Sequence, residues 1–513
     1  MLKVKSCRSK FFLFLGENAD ILSCIKHGIQ KIGKRFLRLT GISNLNVLIT
    51  LMVVFMLAFC VYGAVIVYIG PSYAFSDGFN FHLSAQNLAR YNVFTWSWPD
   101  GSIEPSTMVL PGYTIFLSLF YRAVSLSDDR CANFLLVDSA IVGTQLVMVS
   151  LAASAIFLAG YFLGGKRVAC LAAFFAIAYL AVGANAATMF TESVTYFYIS
   201  FIMLAMVALL RRRGSPWFWM TVFGLFSGLY LITRAAIVIY IAAFLAFWVI
   251  YNYKHWQKAI VQSLVAGMCI MLFMGPWIAR NYHLHNEVII FNTASDNPLF
   301  ISTFYDGMGG AMATEEEIAK FGETCCPERG LFALGGDIAR YRLANAREEW
   351  GLGLFIYVRY VSKIANYPNQ PTLMLHSSEL LQIRPDVMGN RDYDGPYGGE
   401  IGGALWRYTI FVHQAVLLLA VIGTFVTVAR NNPSRLTFLI LALFPIYMFA
   451  VHLQILYLPR YMYQSLPATF LLAGGVALLL PRKPLLSYFG KLNDGCSDDA
   501  SDSKLSLTVS DQR

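Results

Sequence analysis

Ten stretches of this 513-residue chain are apolar for long enough to matter in a bilayer. A spanning helix needs about 20 mostly apolar residues, because hydrocarbon offers the backbone no water partner. The stretches run near 46–70, 134–163, 168–187, 190–210, 216–233, 235–251, 258–279, 406–429, 435–456 and 461–480. Polar positions gather in the short turns between them and in two long intervals, 71–133 and 280–405, each too long for a mere connector. An eleventh apolar run, Pro111 to Val124, is 14 residues long and reads as a helix lying in the membrane interface. The pattern predicts an all-α polytopic membrane protein of about ten transmembrane helices, with interfacial helices in two large outer loops.

Charge orients this arrangement. If the Pro111–Val124 run does not cross, then the basic N-terminal residues (Lys26, Lys31, Lys34, Arg35, Arg38) share one side with Lys166-Arg167, Arg211-Arg212-Arg213, Lys254 with Lys258, Arg430 with Arg435, and Arg482-Lys483. Lys and Arg in short loops favour the cytoplasm, so ten spans with both ends inside satisfy the bias and eleven violate it. The organisation that follows is a basic cytoplasmic extension over 1–45, a transmembrane body over 46–480 and a polar cytoplasmic tail over 481–513, rich in Asp and Ser.

Composition sharpens the picture and excludes some functions. Charged residues make up 13% of the chain and hydrophobic ones 57%; soluble domains carry about 25% charged residues, so much of this surface faces lipid. The net charge of +9 follows from topology and gives no reason to expect nucleic acid. Nine cysteines, none in a C-x-x-C arrangement, supply neither a disulfide framework nor a zinc site. His82, His283, His285, His413 and His452 form no metal-binding pattern, and no G-x-x-x-x-G-K-[ST] loop is present for ATP.

Candidate chemistry lies on the outer side. Asp77, in Ser76-Asp77-Gly78, sits just beyond the first span. It can act as a general base toward a hydroxyl acceptor or simply cap a helix that starts there. Glu192, in Thr191-Glu192-Ser193, falls at the outer mouth of the fourth span, where an ionisable group is either functional or favoured by the helix dipole. Asp138, near the start of the second span, has the same two readings. Arg234, Arg280 and Arg460 lie on the outer side against the topological bias. Together they suit a phosphate or pyrophosphate, which guanidinium groups meet bidentately; singly, each can snorkel to a lipid headgroup.

The order of these pieces resembles the GT-C fold of polytopic glycosyltransferases that take sugar from a polyprenyl phosphate, the superfamily containing protein O-mannosyltransferases and lipid A aminoarabinose transferases. The resemblance rests on short motifs over most of 46–480: Asp77 opening the first outer loop, Pro111-Gly112-Tyr113, Thr191-Glu192, Gly224-x-x-x-Gly228 running to Arg234, Pro276-Trp277 through Arg280-Asn281-Tyr282, and Arg460-Tyr461 before the last span. Many relatives carry a second acidic residue directly after the first, where this chain has Gly78, and a basic residue before the Pro-Gly-Tyr motif, where it is apolar near Leu110.

The resemblance implies a transferase for a hexosyl or pentosyl unit on a lipid carrier. Asp77 would be the catalytic acid-base residue, Glu192 and Asp138 acidic support, and Arg280, Arg234 and Arg460 the contacts to the donor phosphate. The partners it implies are a polyprenyl-phosphate-linked sugar and a lipid, protein or glycan acceptor. No cofactor is assigned with certainty, and a divalent metal stays an open alternative, although a lone Asp with a distant Glu makes a poor site for one. A lipid-linked glycan flippase or secondary transporter, and an oligosaccharide ligase or polymerase, are the other readings. Transporters place ionisable groups mid-membrane and repeat their halves, whereas here most charges sit at helix ends and the halves differ. The absence of any Asn-x-Ser/Thr acceptor, Asn432-Pro433-Ser434 being excluded by its proline, favours a bacterial inner membrane.

Overall fold

The computed structural model describes residues 39–42, 45–69, 77–96, 103–123, 130–293, 297–305, 308, 314–322, 330–367, 400–430, 432–454 and 462–479. The chain is an all-α polytopic membrane protein. Its first helix, α1 (Leu45–Ile69), is followed in the first outer loop by α2 (Asp77–Tyr91) and α3 (Gly112–Ala123). The body continues through α4 (Arg130–Gly164), α5 (Lys166–Ala178), α6 (Ala181–Ala186), α7 (Glu192–Leu210), α8 (Pro216–Leu231), α9 (Val238–Tyr251) and α10 (Trp256–His285). The second outer loop holds α11 (Asn297–Tyr305), α12 (Glu315–Gly322), α13 (Gly330–Ile356) and, after a π-helical turn at Tyr357–Val361, α14 (Ser362–Asn366). Finally come α15 (Glu400–Ala429), α16 (Arg435–Gln454) and α17 (Leu466–Gly474), the last flanked by 3₁₀ turns at Tyr463–Ser465 and Gly475–Leu479.

Each of the ten predicted segments contains helix among its described residues, but only six contain a single described helix long and apolar enough to cross a membrane: Leu45–Tyr68, Leu136–Gly164, Glu192–Leu210, Tyr253–His285, Arg407–Ala429 and Arg435–Gln454. The other four are shorter or broken. The segment 168–187 splits at Tyr179, whose φ of −79° and ψ of 80° leave the helical region, so that α5 and α6 are separate. Its buried hydroxyl bonds His413 Nδ1 at 3.1 Å, a side-chain contact that holds the break in place. With 16 and 14 residues, α8 and α9 reach about 24 and 21 Å at 1.5 Å per residue, short of a hydrocarbon core of about 30 Å. The 461–480 stretch changes helix type twice. As the length of the Pro111–Val124 run implied, α3 has only 12 residues and packs on α2.

At the centre stands α7, packed against α4, α8 and α17. From Ile202 to Leu210 every one of its side chains is apolar and buried. Helix α8 meets α10 through Gly224 and Gly228: a Cβ on Gly224 would come within 2.6 Å of the Ala266 carbonyl oxygen, so only hydrogen lets the two backbones approach.

Hydrogen bonds tie several turns together at one end of the bundle. Arg211 Nη1 donates to Pro433 O at 2.8 Å, Ser434 Oγ to Leu163 O at 2.7 Å, Arg430 Nη1 to Leu478 O at 2.9 Å and the Ser215 amide to Leu39 O at 2.9 Å. The basic turns at 166–167, 211–213 and 430–435 therefore share that end. The first outer loop and the mouth of α7 occupy the opposite one.

The second outer loop is organised by a buried ion pair. Arg342, 4% exposed, donates through Nε to Glu317 Oε1 at 2.7 Å, through Nη2 to Oε2 at 2.8 Å and through Nη1 to Thr303 Oγ1 at 3.2 Å. Thr314 and Glu317 form a capping box at the start of α12, each side chain bonding the other's amide. The hydrogen bond from Arg342 holds the Glu317 carboxyl below the usual carboxylate range. Such a group adds stability that is fully present above its unfolded pKa and is lost as pH falls through its folded value. Amide-exchange protection over Glu315–Gly322, corrected for intrinsic rates, is expected to drop on that acidification. Glu317→Gln should show low protection already at neutral pH and no further response to acid; a wild-type loop indifferent to acid would remove the pair as its organiser.

Candidate functional site

The outer mouth of α7 is assembled from four sequence-distant elements. Thr191 and Glu192 open the helix, placing a carboxylate where the helix dipole favours it. Glu192 is 1% exposed, and Oε1 meets Nη1 of Arg234 at 3.4 Å. Arg234 leaves α8 through the turn at Ile232–Thr233, its amide bonded back to the Tyr230 carbonyl at 2.6 Å. Its side chain is 21% exposed, so the guanidinium looks outward from the pair.

Onto that same turn docks the Pro111-Gly112-Tyr113 motif. The Gly112 amide donates to Ile232 O at 2.9 Å, and a Cβ there would run into Thr233 Oγ1 and come within 2.8 Å of the Ile232 carbonyl oxygen. Close approach of two backbones explains this glycine. The next residue, Tyr113, is fully buried and donates to Gln145 Oε1 at 3.1 Å. Gln145 Nε2 in turn donates to Ala186 O at 3.0 Å and Thr188 O at 2.9 Å, fastening α3 and α4 to the turn that leads into α7. Burial first, and the Glu192 charge second, push the Tyr113 phenol well above its ordinary range. Asp138 is fully buried seven residues before Gln145, a spacing that places it on the same face of α4.

Asp77 is the first residue of α2; its side chain lies outside the described residues. The helix it opens is nonetheless seated against the cluster. One turn on, Phe81 packs edge-on to Tyr113 with ring centroids 5.1 Å apart. His82 bonds the Tyr121 hydroxyl through Nδ1 and meets the Met189 sulfur through Nε2, three residues before Glu192. Burial pushes the His82 imidazole down to about 4, so it is neutral at neutral pH. Four residues of helix advance about 6 Å, so the α2 backbone at Asp77 lies one turn before the Phe81 that packs on Tyr113.

Arg280 sits five residues inside the end of α10, beyond the internal Pro276. Its Nη1 donates to Ser106 O and Asn281 Oδ1, both at 3.1 Å, and Nη2 to Phe94 O at 3.4 Å; the guanidinium lies 5.0 Å from the Trp277 ring centroid and 5.5 Å from that of Phe94. It fastens the extended strip before Pro111 to α10, aided by Asn292 Nδ2 donating to Met108 O at 3.0 Å and the Thr293 amide to Thr107 O at 3.0 Å. Arg460 and Tyr461 lie outside the described residues. Among the described residues, no three His, Cys, Asp or Glu side chains gather where they could hold a metal ion.

Beneath the ion pair lies a polar layer that the motifs did not announce. The Tyr230 hydroxyl donates to Gln464 Oε1, and the Tyr463 ring packs on Tyr196 at 5.1 Å. Gln145 and Gln464 each stand out as a carboxamide inside an apolar run, the one signal by which hydropathy could have marked them.

No family model matches this sequence, and no curated protein matches it. Among solved structures it is similar to the oligosaccharyltransferase AglB of Archaeoglobus fulgidus in complex with an inhibitory peptide and a dolichol-phosphate, at 14% identity and a TM-score of 0.48, over 88% of this chain and 52% of that one. It is also similar to ArnT from Cupriavidus metallidurans bound to undecaprenyl phosphate, at 13% identity and a TM-score of 0.33, over 83% of this chain and 77% of that one. The chain thus spans about half the length of the archaeal protein.

Proposed function

We propose that this protein is a membrane glycosyltransferase moving one sugar from a polyprenyl-phosphate carrier to an acceptor on the outer side of a bacterial inner membrane. One observation carries the reading: motifs spread from residue 77 to residue 282 meet at one end of the bundle. Pro111-Gly112-Tyr113 bonds the turn before Arg234, Arg234 pairs with Glu192, and Arg280 holds the strip leading into Pro111. The helix that Asp77 opens packs against the same Tyr113.

In this reading the acceptor hydroxyl loses its proton to Asp77 as its oxygen bonds the sugar's anomeric carbon. The bond from that carbon to the phosphate oxygen breaks, and the electron pair leaves with the polyprenyl phosphate. Arg234, Arg280 and Arg460 supply positive charge where that negative charge grows, and a desolvated site makes each worth more than it would be in water. Glu192 and Asp138 are the acidic support, Glu192 by holding Arg234 at the mouth.

Purified protein in lipid nanodiscs, given polyprenyl-phosphate hexoses and pentoses with a mixture of lipid, peptide and glycan acceptors, is expected to release polyprenyl phosphate in step with glycosylated product. Turnover of nucleotide sugars instead, or a sugar that never leaves any lipid carrier, would overturn the reading. Block transfer of a preassembled glycan would move it to the oligosaccharide ligases.

A further inference from the structure

The second outer loop carries a surface that its ion pair does not explain. From Asp337 to Glu349, α13 holds six charged residues; from Leu352 to Tyr367 the chain holds two, Arg359 and Lys363, and no acid. The change falls at Gly351, whose φ of 71° and ψ of 158° break the helix. A Cβ there would meet nothing, so the left-handed φ and not crowding calls for this glycine. Beyond the break, Leu354, Tyr357, Val361 and Ile364 follow at helical spacing, and each is between 43% and 56% exposed.

The segment's contacts with the bundle fix the depth of this stripe. Arg359, 2% exposed, donates through Nη2 at 2.6 Å to the carbonyl of Gln454, the last residue of α16, and the Tyr360 hydroxyl meets Gln454 Oε1 at 3.5 Å. Eight residues after Arg359, the Tyr367 ring packs on Phe449 of α16 and on His413 of α15, with centroids 5.1 and 5.5 Å apart. Phe449 stands five residues, about 8 Å, inside the outer end of a helix long and apolar enough to cross the membrane. The segment therefore starts level with the outer end of α16 and runs down beside it. On α16 itself Leu439, Leu443 and Ile446 are exposed, as side chains bordered by lipid are in a spanning helix, and the stripe adds to that apolar surface.

We infer that residues 352–367 form a re-entrant segment dipping into the outer leaflet, with Leu354, Tyr357, Val361 and Ile364 against lipid acyl chains and Arg359 anchoring it to the end of α16. Bilayer lipid is the occupant because the segment ends level with Phe449, where hydrocarbon and not water surrounds a spanning helix. Being helical, the segment satisfies its own backbone, as contact with lipid demands. It does not cross, since α15 runs to the inner turn at Arg430 and so begins on the outer side. The inference is independent of glycosyl transfer and puts part of the 280–405 interval inside the membrane.

The test uses the full-length protein in phosphatidylcholine nanodiscs. An environment-sensitive fluorescent amino acid is placed singly at Leu354, Tyr357, Val361 or Ile364, with Ile446 as the lipid-facing reference and Glu349 as the aqueous one; all six side chains are exposed, so the label displaces no buried contact. Two quenchers are compared, phospholipid brominated along its acyl chains and iodide in the water. The four stripe positions are expected to lose emission to brominated lipid as Ile446 does and to be spared by iodide, with Glu349 showing the reverse. Moving the bromines deeper should favour quenching at Ile364 over Leu354. Arg359→Gln should lower lipid quenching at Ile364 while Ile446, reporting on the fold, stays as it was; unchanged quenching at Ile364 removes Arg359 as the anchor. Iodide quenching along the stripe overturns the inference. So does lipid quenching that is present at Leu354 and lost by Ile364, which leaves the segment lying on the surface, and so does shielding from both quenchers, which puts protein over the stripe.

Discussion

Asp77→Asn is expected to lower kcat for sugar transfer by about 10²–10⁴-fold, the usual contribution of a positioned general base, with folding and membrane insertion intact. The substitution suits the question because Asp77 opens α2. At a helix start Asn caps the first turn about as well as Asp, so the helix survives and only the ability to take a proton is lost. The packing that seats α2, through Phe81 on Tyr113 and His82 on Tyr121, lies one turn further on and is untouched. The measurement is single-turnover transfer from the lipid-linked sugar, paired with donor binding at equilibrium. Loss of transfer with unchanged binding places Asp77 at the chemical step. A variant that turns over near the wild-type rate removes it from the role of base, and one that fails to bind donor assigns it to the binding site.

The second large effect concerns the pair at the mouth of α7. Arg234→Met leaves a carboxylate that is 1% exposed without the guanidinium 3.4 Å from it. Removing one partner of a buried pair typically costs 3–5 kcal/mol; the partial exposure of Arg234 puts the expected loss near the lower end, about 3 kcal/mol. Glu192→Gln in the same background takes away the orphaned charge and should restore most of that stability. Transfer should not return with it, because the Arg234 charge proposed to face the departing phosphate is still missing. Reversible unfolding and turnover measured on both variants separate the two roles. If the double variant regains activity along with stability, Arg234 serves the fold alone; if the single variant unfolds like wild type, the pair adds nothing to it.

Much of the fold was legible because hydropathy along a chain reports burial in lipid directly. Each predicted stretch contains helix among its described residues, six of them one helix long and apolar enough to cross, and α3 has only 12 residues. The break between α5 and α6 was illegible for an equally physical reason. Residues 168–187 contain no Pro and only Gly183, and what bends the chain is a buried tyrosine bonded to His413, 234 positions away. The site divides in the same way. Pro111-Gly112-Tyr113, Glu192 and Arg234 could each be singled out by being unusual where they stand. That Glu192 pairs with a residue 42 positions on, or that Arg280 spends its donors on the backbone at Phe94 and Ser106, depends on helix packing that periodicity does not encode. Gln464 was passed over because a single amide hardly dents the hydropathy of an otherwise apolar run.

The apolar stretch of α7 from Ile202 to Leu210 bears on how a substrate comes and goes. It fills the middle of the bundle like a dry stopper, with no polar step on which a charged headgroup could rest on its way through. Were the protein to act as proposed, a lipid phosphate bound at Arg234 would not pass along this face of α7; it would slide in sideways from the leaflet at that end and leave by the same door.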